Sequence, residues 1–143
     1  MIREFEKDGY IISTDQSKLQ FDVIHNFLKT AYWSKNIAFE KVKKAAKNSL
    51  CFGMYYQNKQ MGFARVITDY TSFAYIADVF IIKEHRAKGL SKWLMQVILD
   101  FPELIDIRKW ALRTADAHSL YSRFGFKSPE KPESYMEYVS KKG

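Results

Sequence analysis

Six residues, Arg86-Ala87-Lys88-Gly89-Leu90-Ser91, set two cations and a glycine where a strand gives way to a helix. Ahead of them, Phe73 to Ile82 is almost wholly apolar, β-branched or aromatic, the composition of a strand covered on both faces. After them, Leu90, Trp93, Leu94, Val97 and Ile98 repeat at the spacing of one buried helical stripe. A glycine turn between strand and helix gathers free backbone N–H groups around one point, at the positive end of the helix dipole. Such a point binds anions, phosphate above all.

Other residues could do chemistry near this turn. Asp78 is the one charge inside the apolar strand. A carboxylate there is either functional or paired, because a lone buried charge is costly. It could take a proton, or it could pair with Arg65 or with a lysine at the sheet edge. Arg65 itself interrupts the apolar run Phe63 to Ile67. It either faces solvent or reaches an anionic group of a substrate. Tyr32 and Trp33 stand beside polar residues in a connection, where they either pack under the loop or line a pocket. The lone Cys51 lies in the apolar run Leu50-Cys51-Phe52 and reads as a buried thiol rather than a nucleophile. No spacing of histidine, cysteine or carboxylate suggests a metal site.

The elements that must position these groups follow from periodicity and turn chemistry. Gly9 to Ile12 reads as a first strand, and Ser13-Thr14-Asp15 offers a helix cap. Helical spacing then runs from Ser17 to about Ala31, and a second, more polar helix covers Phe39 to Lys47. Leu50–Tyr56 and Met61–Thr68 form a hairpin about the polar turn Gln57 to Gln60. The central strand and its helix follow, closed by Pro102. Lys109 to Arg113 is a further strand, Thr114-Ala115-Asp116 caps a helix over Ala117 to Phe124, and Gly125 ends it in a left-handed conformation. Tyr135 to Val139 is expected as a last strand, before a frayed Lys141-Lys142-Gly143. The layout is α+β (mixed α/β), a central, mostly antiparallel twisted sheet flanked by helices, in a single domain over residues 1–143.

Composition bounds the function. A chain of 143 residues with 47% hydrophobic and 16% aromatic residues can bury a proper core. No apolar run approaches the length of a membrane span, and the charged start is no signal peptide. With one cysteine, a soluble protein of a reducing, cytoplasmic compartment is expected. The net charge of +7 is spread along the chain, and only Lys41 to Lys47 is dense, as one solvated helix face. Without aromatic-basic interleaving, that charge does not mark a nucleic-acid binder.

The turn Arg86 to Ser91 resembles the Arg/Gln-x-x-Gly-x-Gly/Ala turn of the GCN5-related N-acetyltransferases (the GNAT family), with Ser91 as its last small residue. Leu120-Tyr121-Ser122-Arg123-Phe124-Gly125-Phe126 resembles that family's Leu-Tyr-x-x-x-Gly-Phe motif, in the expected order after the turn. The resemblance implies the GNAT-like acyl-CoA N-acyltransferase fold and an acetyl-coenzyme A-dependent transfer to a primary amine, by direct attack in a ternary complex. The coenzyme's pyrophosphate would sit on Arg86, Ala87, Lys88, Gly89, Leu90 and Ser91. Its pantetheine arm would lie along Val79, Phe80 and Ile81, with Thr114 where many members carry an asparagine. Tyr121 would protonate the leaving thiolate, or else is a core tyrosine of its helix. Asp78 matches a strand carboxylate that draws the amine proton in some members. Tyr32, Trp33 and Arg65 would meet the acceptor, a small-molecule or peptide amine. No metal, nucleic acid or membrane partner is implied, and the expected state is a monomer or homodimer. A coenzyme A-binding module of the same fold, without turnover, is the alternative.

Overall fold

The computed structural model describes residues 1–141. The chain forms two compact units, Met1–Arg113 and Thr114–Gly143. The first holds a six-stranded sheet whose spatial order is the sequence order: β1 (Glu4–Lys7), β2 (Tyr10–Ser13), β3 (Leu50–Tyr56), β4 (Lys59–Thr68), β5 (Ala74–Ile81) and β6 (Trp110–Leu112). Neighbours are antiparallel as far as β5, and β6 runs parallel to β5. At the β3–β4 turn both Gln57 and Asn58 take positive φ, 49° and 66°, as a tight hairpin requires.

Alternation along the strands sends two sets of side chains to opposite faces. On one face Cys51, Phe63 and Phe80 meet α1 (Phe21–Leu28) and α2 (Phe39–Lys47) through Ile24, Leu28, Val42 and Ala46. Phe27 of α1 stacks on Phe80 with centroids 4.1 Å apart and planes 10° apart, which ties α1 to the C-terminal end of β5. On the other face Phe52 meets Phe101 edge-on at 5.1 Å. Phe101 follows α3 (Leu90–Leu99), whose Leu94, Met95 and Ile98 are fully buried. The architecture is thus the expected mixed α/β sheet flanked by helices.

Four local differences have physical causes. β1 was not foreseen, because Phe5 is its only apolar residue and a strand at the sheet edge needs just one apolar contact. The first helix starts at Phe21, not Ser17, because Asp15 caps a separate 3-10 turn over Gln16–Lys18, accepting from Ser17 N at 3.0 Å. It ends at Leu28 rather than Ala31, where Asn36 N donates back to Lys29 O at 2.8 Å and closes the following loop. Residues 135–139 form no strand: Met136, Tyr138 and Val139 are exposed. Strand propensity reflects fit to a half-buried pleated surface, and these side chains meet none. Of the expected frayed end, Lys142 and Gly143 lie outside the described residues.

Within the second unit, α4 (His118–Ser122) is shorter than the expected helix. Thr114 Oγ1 accepts from Ala117 N at 3.0 Å just before it. Gly125 has φ 94°, the expected left-handed terminus.

Candidate active site

The turn before α3 is built from backbone. Ala87 and Gly89 take φ of 63° and 75°, left-handed values that curl successive peptide N–H groups toward one side. Among the described residues, the N–H groups of Ala87 through Lys92 donate to no protein acceptor; the first helical bond is Trp93 N to Gly89 O at 3.1 Å. Gly89 caps α3 with no side chain of its own, and a Cβ placed there would meet nothing within 4 Å. Space therefore lies open over a run of unsatisfied donors at a helix N-terminus, with Arg86 and Lys88 alongside. Such an arrangement favours an anion.

Side chains fix this turn from behind. Arg86 Nε donates to Ile81 O at 2.8 Å and folds the turn back onto the end of β5. His85 Nδ1 lies 3.0 Å from Tyr10 Oη, and Lys88 Nζ reaches the same hydroxyl at 3.4 Å. Tyr56 packs beside both rings, at 4.8 Å from Tyr10 and 5.5 Å from His85. Between the β1–β2 turn (Lys7, Asp8) and the start of α3 (Lys88, Gly89, Trp93) a shallow cavity of about 170 Å³ remains. Sequence reasoning missed Tyr10 and Tyr56 because no local pattern links them to a histidine far along the chain.

β5 is distorted in its second half. Its register against β4 shifts between Phe63 and Arg65, so that Ala64 alone faces Asp78 and Val79. Asp78 takes φ 55°, the mark of a bulge that leaves backbone groups out of the ladder. On the opposite edge β6 stops at Leu112, paired with Ile76, and among the described strands none pairs with Ala77 to Ile81 on that side. Val79, Phe80 and Ile81 thus lie on a free strand edge, suited to an extended amide-bearing chain.

The bulge aims Asp78 at two partners. Arg65 Nε donates to its Oδ2 at 2.9 Å, and Trp33 Nε1 donates to its Oδ1 at 3.0 Å. Arg65 Nη1 continues to Ser49 Oγ at 3.1 Å, and that hydroxyl donates to Ala45 O at 2.7 Å. The Arg65 and Asp78 side chains are 17% and 14% exposed, so the pair is sheltered but not sealed. Of the open alternatives for Asp78, the ion pair is with Arg65 and not with an edge lysine. Trp33, 44% exposed, bridges the α1–α2 loop to β5 and stands edge-on to Tyr32 at 5.1 Å. The sequence offers Arg65 as one possible partner of Asp78 and leaves Trp33 apart; the structure brings all three into one cluster and adds Ser49, which carried no signal.

Cys51 is buried and its thiol is pushed up to about 12, mainly by burial, with the Asp78 charge adding to the rise. It is no nucleophile. Thr114 and Tyr121 belong to the second unit. There Tyr121 is buried, its ring edge-on to Phe126 at 6.1 Å, as the apolar stripe of its short helix requires. Among the described residues no group of histidine, cysteine and carboxylate side chains could hold a metal. Among the described residues no helix is long and apolar enough to cross a membrane.

Residues 20–126 match the model of the acetyltransferase (GNAT) family, and the chain belongs to that family. It is 43% identical to a GNAT-family protein of Xanthomonas campestris pv. campestris, with a TM-score of 0.90 over 94% of this chain and 96% of that one. It is also 27% identical to a provisionally named acetyltransferase of Gibberella zeae, over 99% of this chain and 89% of that protein. A GNAT acetyltransferase of Elizabethkingia anophelis, solved with acetyl-CoA bound, shares the fold at a TM-score of 0.65 and 17% identity, covering 94% of this chain and 90% of that one.

Proposed function

We propose that this protein transfers the acetyl group of acetyl-coenzyme A to a primary amine, by direct attack within a ternary complex. The observation that carries the reading is the run of unsatisfied N–H groups from Ala87 to Lys92, facing open space over Gly89. Arg86, Lys88 and Ser91 would add charge and a hydroxyl around the pyrophosphate. The free edge at Val79, Phe80 and Ile81 would take the pantetheine amides, with a backbone N–H of the bulged strand polarising the thioester carbonyl. Thr114 keeps its hydroxyl proton to donate, since its oxygen accepts from Ala117. The acetyl-CoA held by the Elizabethkingia protein of this fold supports the same donor here.

In this reading the amine nitrogen bonds to the carbonyl carbon, its proton passes to Asp78 through water, and the C–S bond breaks as Tyr121 gives its phenolic proton to the thiolate. Asp78 can serve because an ionised carboxylate has about four lone-pair sites and two are used by Arg65 and Trp33. Tyr32 and Trp33 would wall the acceptor. The two compact units would act as one domain, a monomer or homodimer in the cytoplasm.

Coenzyme A should raise the melting temperature by mass action, and thiol should be released from acetyl-coenzyme A when an amine panel is added. A folded protein unmoved by millimolar coenzyme A would sink the reading, whereas binding without thiol release would leave a non-catalytic module. Tyr121→Phe then tests the proton donor. It should lower kcat by about tenfold to a few hundredfold, the worth of a general acid on a good leaving group. Stability should change by no more than about 1 kcal/mol, one hydrogen bond. A rate within about twofold of wild type returns Tyr121 to the core.

A further inference from the structure

The Arg65 guanidinium is held on two of its three sides. Nε is on Asp78 and Nη1 is on Ser49, which is itself tied to Ala45 O. Nη2 makes no hydrogen bond among the described residues. It is not enclosed either, because the one fully buried side-chain polar atom without a partner among them is Tyr55 Oη. A charged, pre-oriented donor pair beside Asp78 is therefore without a protein acceptor, on a guanidinium whose side chain is 17% exposed. Fixed donors of this kind match a carboxylate, and their orientation costs no further entropy.

The surroundings narrow the ligand. Along the same sheet face, beyond the pair, Ala77 sits opposite Arg65 and Tyr75 opposite Ile67. Ile67 is 44% exposed, and Tyr75 and Ala77 are half-buried, so an apolar floor runs away from the ion pair. Trp33 and Tyr32 stand exposed on the α1–α2 loop, and Lys29 and Lys35 on that loop are exposed as well. With a net charge of +7, the protein repels a polycationic acceptor. A simple amine would cover Arg65 Nη2 without bonding it, which costs the donor its water.

We propose that the acceptor is an amine carrying a carboxylate on the same or the neighbouring carbon, an amino acid with an apolar or aromatic side chain, whose carboxylate is bound by Arg65. Donor and acceptor edges lie side by side in the Arg65–Asp78 pair, so the carboxylate on Nη2 sets the amine against Asp78, and the side chain lies over Tyr75 and Ile67. The assignment rests on the acetyl-transfer reading above and names its acceptor class.

The test compares matched pairs with acetyl-coenzyme A: L-phenylalanine against phenylethylamine, and L-leucine against 3-methylbutylamine, each corrected for its fraction of free amine. The amino acid should be preferred in kcat/KM by about tenfold or more, the worth of one charged hydrogen bond. In Arg65→Lys, which keeps the cation beside Asp78 but loses the fork, that preference should collapse through KM of the amino acid. Equal use of both partners, better use of spermidine or a lysine peptide, or an equal fall for both in Arg65→Lys overturns the assignment. So does coenzyme A binding with no thiol release from any of these amines. A protein that does not bind coenzyme A at all fails earlier, at the acetyl-transfer reading, and takes this assignment with it.

Discussion

At the turn from Arg86 to Ser91 the binding groups are backbone amides without protein partners. Around Asp78 they are side chains already bonded to one another, drawn from the α1–α2 loop, the α2–β3 turn, β4 and β5. The two regions differ in what fixes them. The turn is preorganised by local φ values, so its geometry survives most changes of side chain, and in the proposed function it would serve any ligand that brings a pyrophosphate. The Asp78 cluster exists only when four segments have folded together, so its geometry is bound up with stability. One half of the site can thus stay constant while the other is altered to suit a particular acceptor.

The sharpest way to break this contrast is at the glycines. Gly89 and Gly125 both take positive φ, and a Cβ at either meets nothing within 4 Å. A valine at each position therefore carries mainly backbone strain, roughly 1–2 kcal/mol. Gly89→Val and Gly125→Val should lower the melting temperature alike. Only the first puts a branched side chain into the space above the free amides, and its Kd for coenzyme A should rise by about 30-fold or more, roughly 2 kcal/mol. Titration calorimetry on both variants decides it. Equal Kd changes would mean that the turn is not the phosphate site.

Asp78→Asn should show the opposite signature. It leaves the Arg65 cation without its counter-ion, and a fully buried pair broken in this way costs about 3–5 kcal/mol. At 14% and 17% exposure the loss is set lower, at about 2 kcal/mol. Coenzyme A affinity should hold while thermal stability falls. If Asp78 also receives the amine proton, turnover drops at neutral pH and recovers in part at high pH, where free amine is abundant. An unchanged pH–rate profile with lowered stability would remove Asp78 from the chemistry and leave it as the ion pair alone.

The same contrast explains what could be read from the sequence. The turn and α3 were legible because their determinants are contiguous: an apolar strand, a glycine, then a helical stripe. Gly125 and the β3–β4 turn were legible for that reason too. Arg65 and Asp78 drew notice as charges inside apolar runs, but their partnership depends on the β4–β5 register and on a bulge that places a non-glycine residue at φ 55°. Trp33 reads from the sequence as an aromatic that packs under its loop or lines a pocket, while its partner lies across the fold. Ser49, Tyr10 and Tyr56 gave no sign, since a serine in a turn or a tyrosine in a strand acquires a role only from what tertiary structure sets beside it. Residues 135–139 misled for the converse reason: a strand-like composition has no effect where no neighbouring edge receives it.

The smallest effect, and the most specific to the acceptor side, belongs to Trp33→Phe. Phenylalanine keeps an aromatic body near Phe27, which lies 6.2 Å from the indole, and it removes only the donor to Asp78 Oδ1. Trp33 is 44% exposed, so water can replace the lost bond. The stability cost should then be no more than about 1 kcal/mol. Coenzyme A affinity should not move, because among the described residues no hydrogen bond of the turn involves this loop. What should change is KM for the acceptor, upward by about twofold to tenfold, since the α1–α2 loop loses its tie to β5 and the acceptor must order it on binding. The decisive measurement is steady-state kinetics at saturating acetyl-coenzyme A, varying the amine. A fall in kcat with KM unchanged would mean that the indole acts on Asp78 during proton transfer instead of holding the acceptor wall in place.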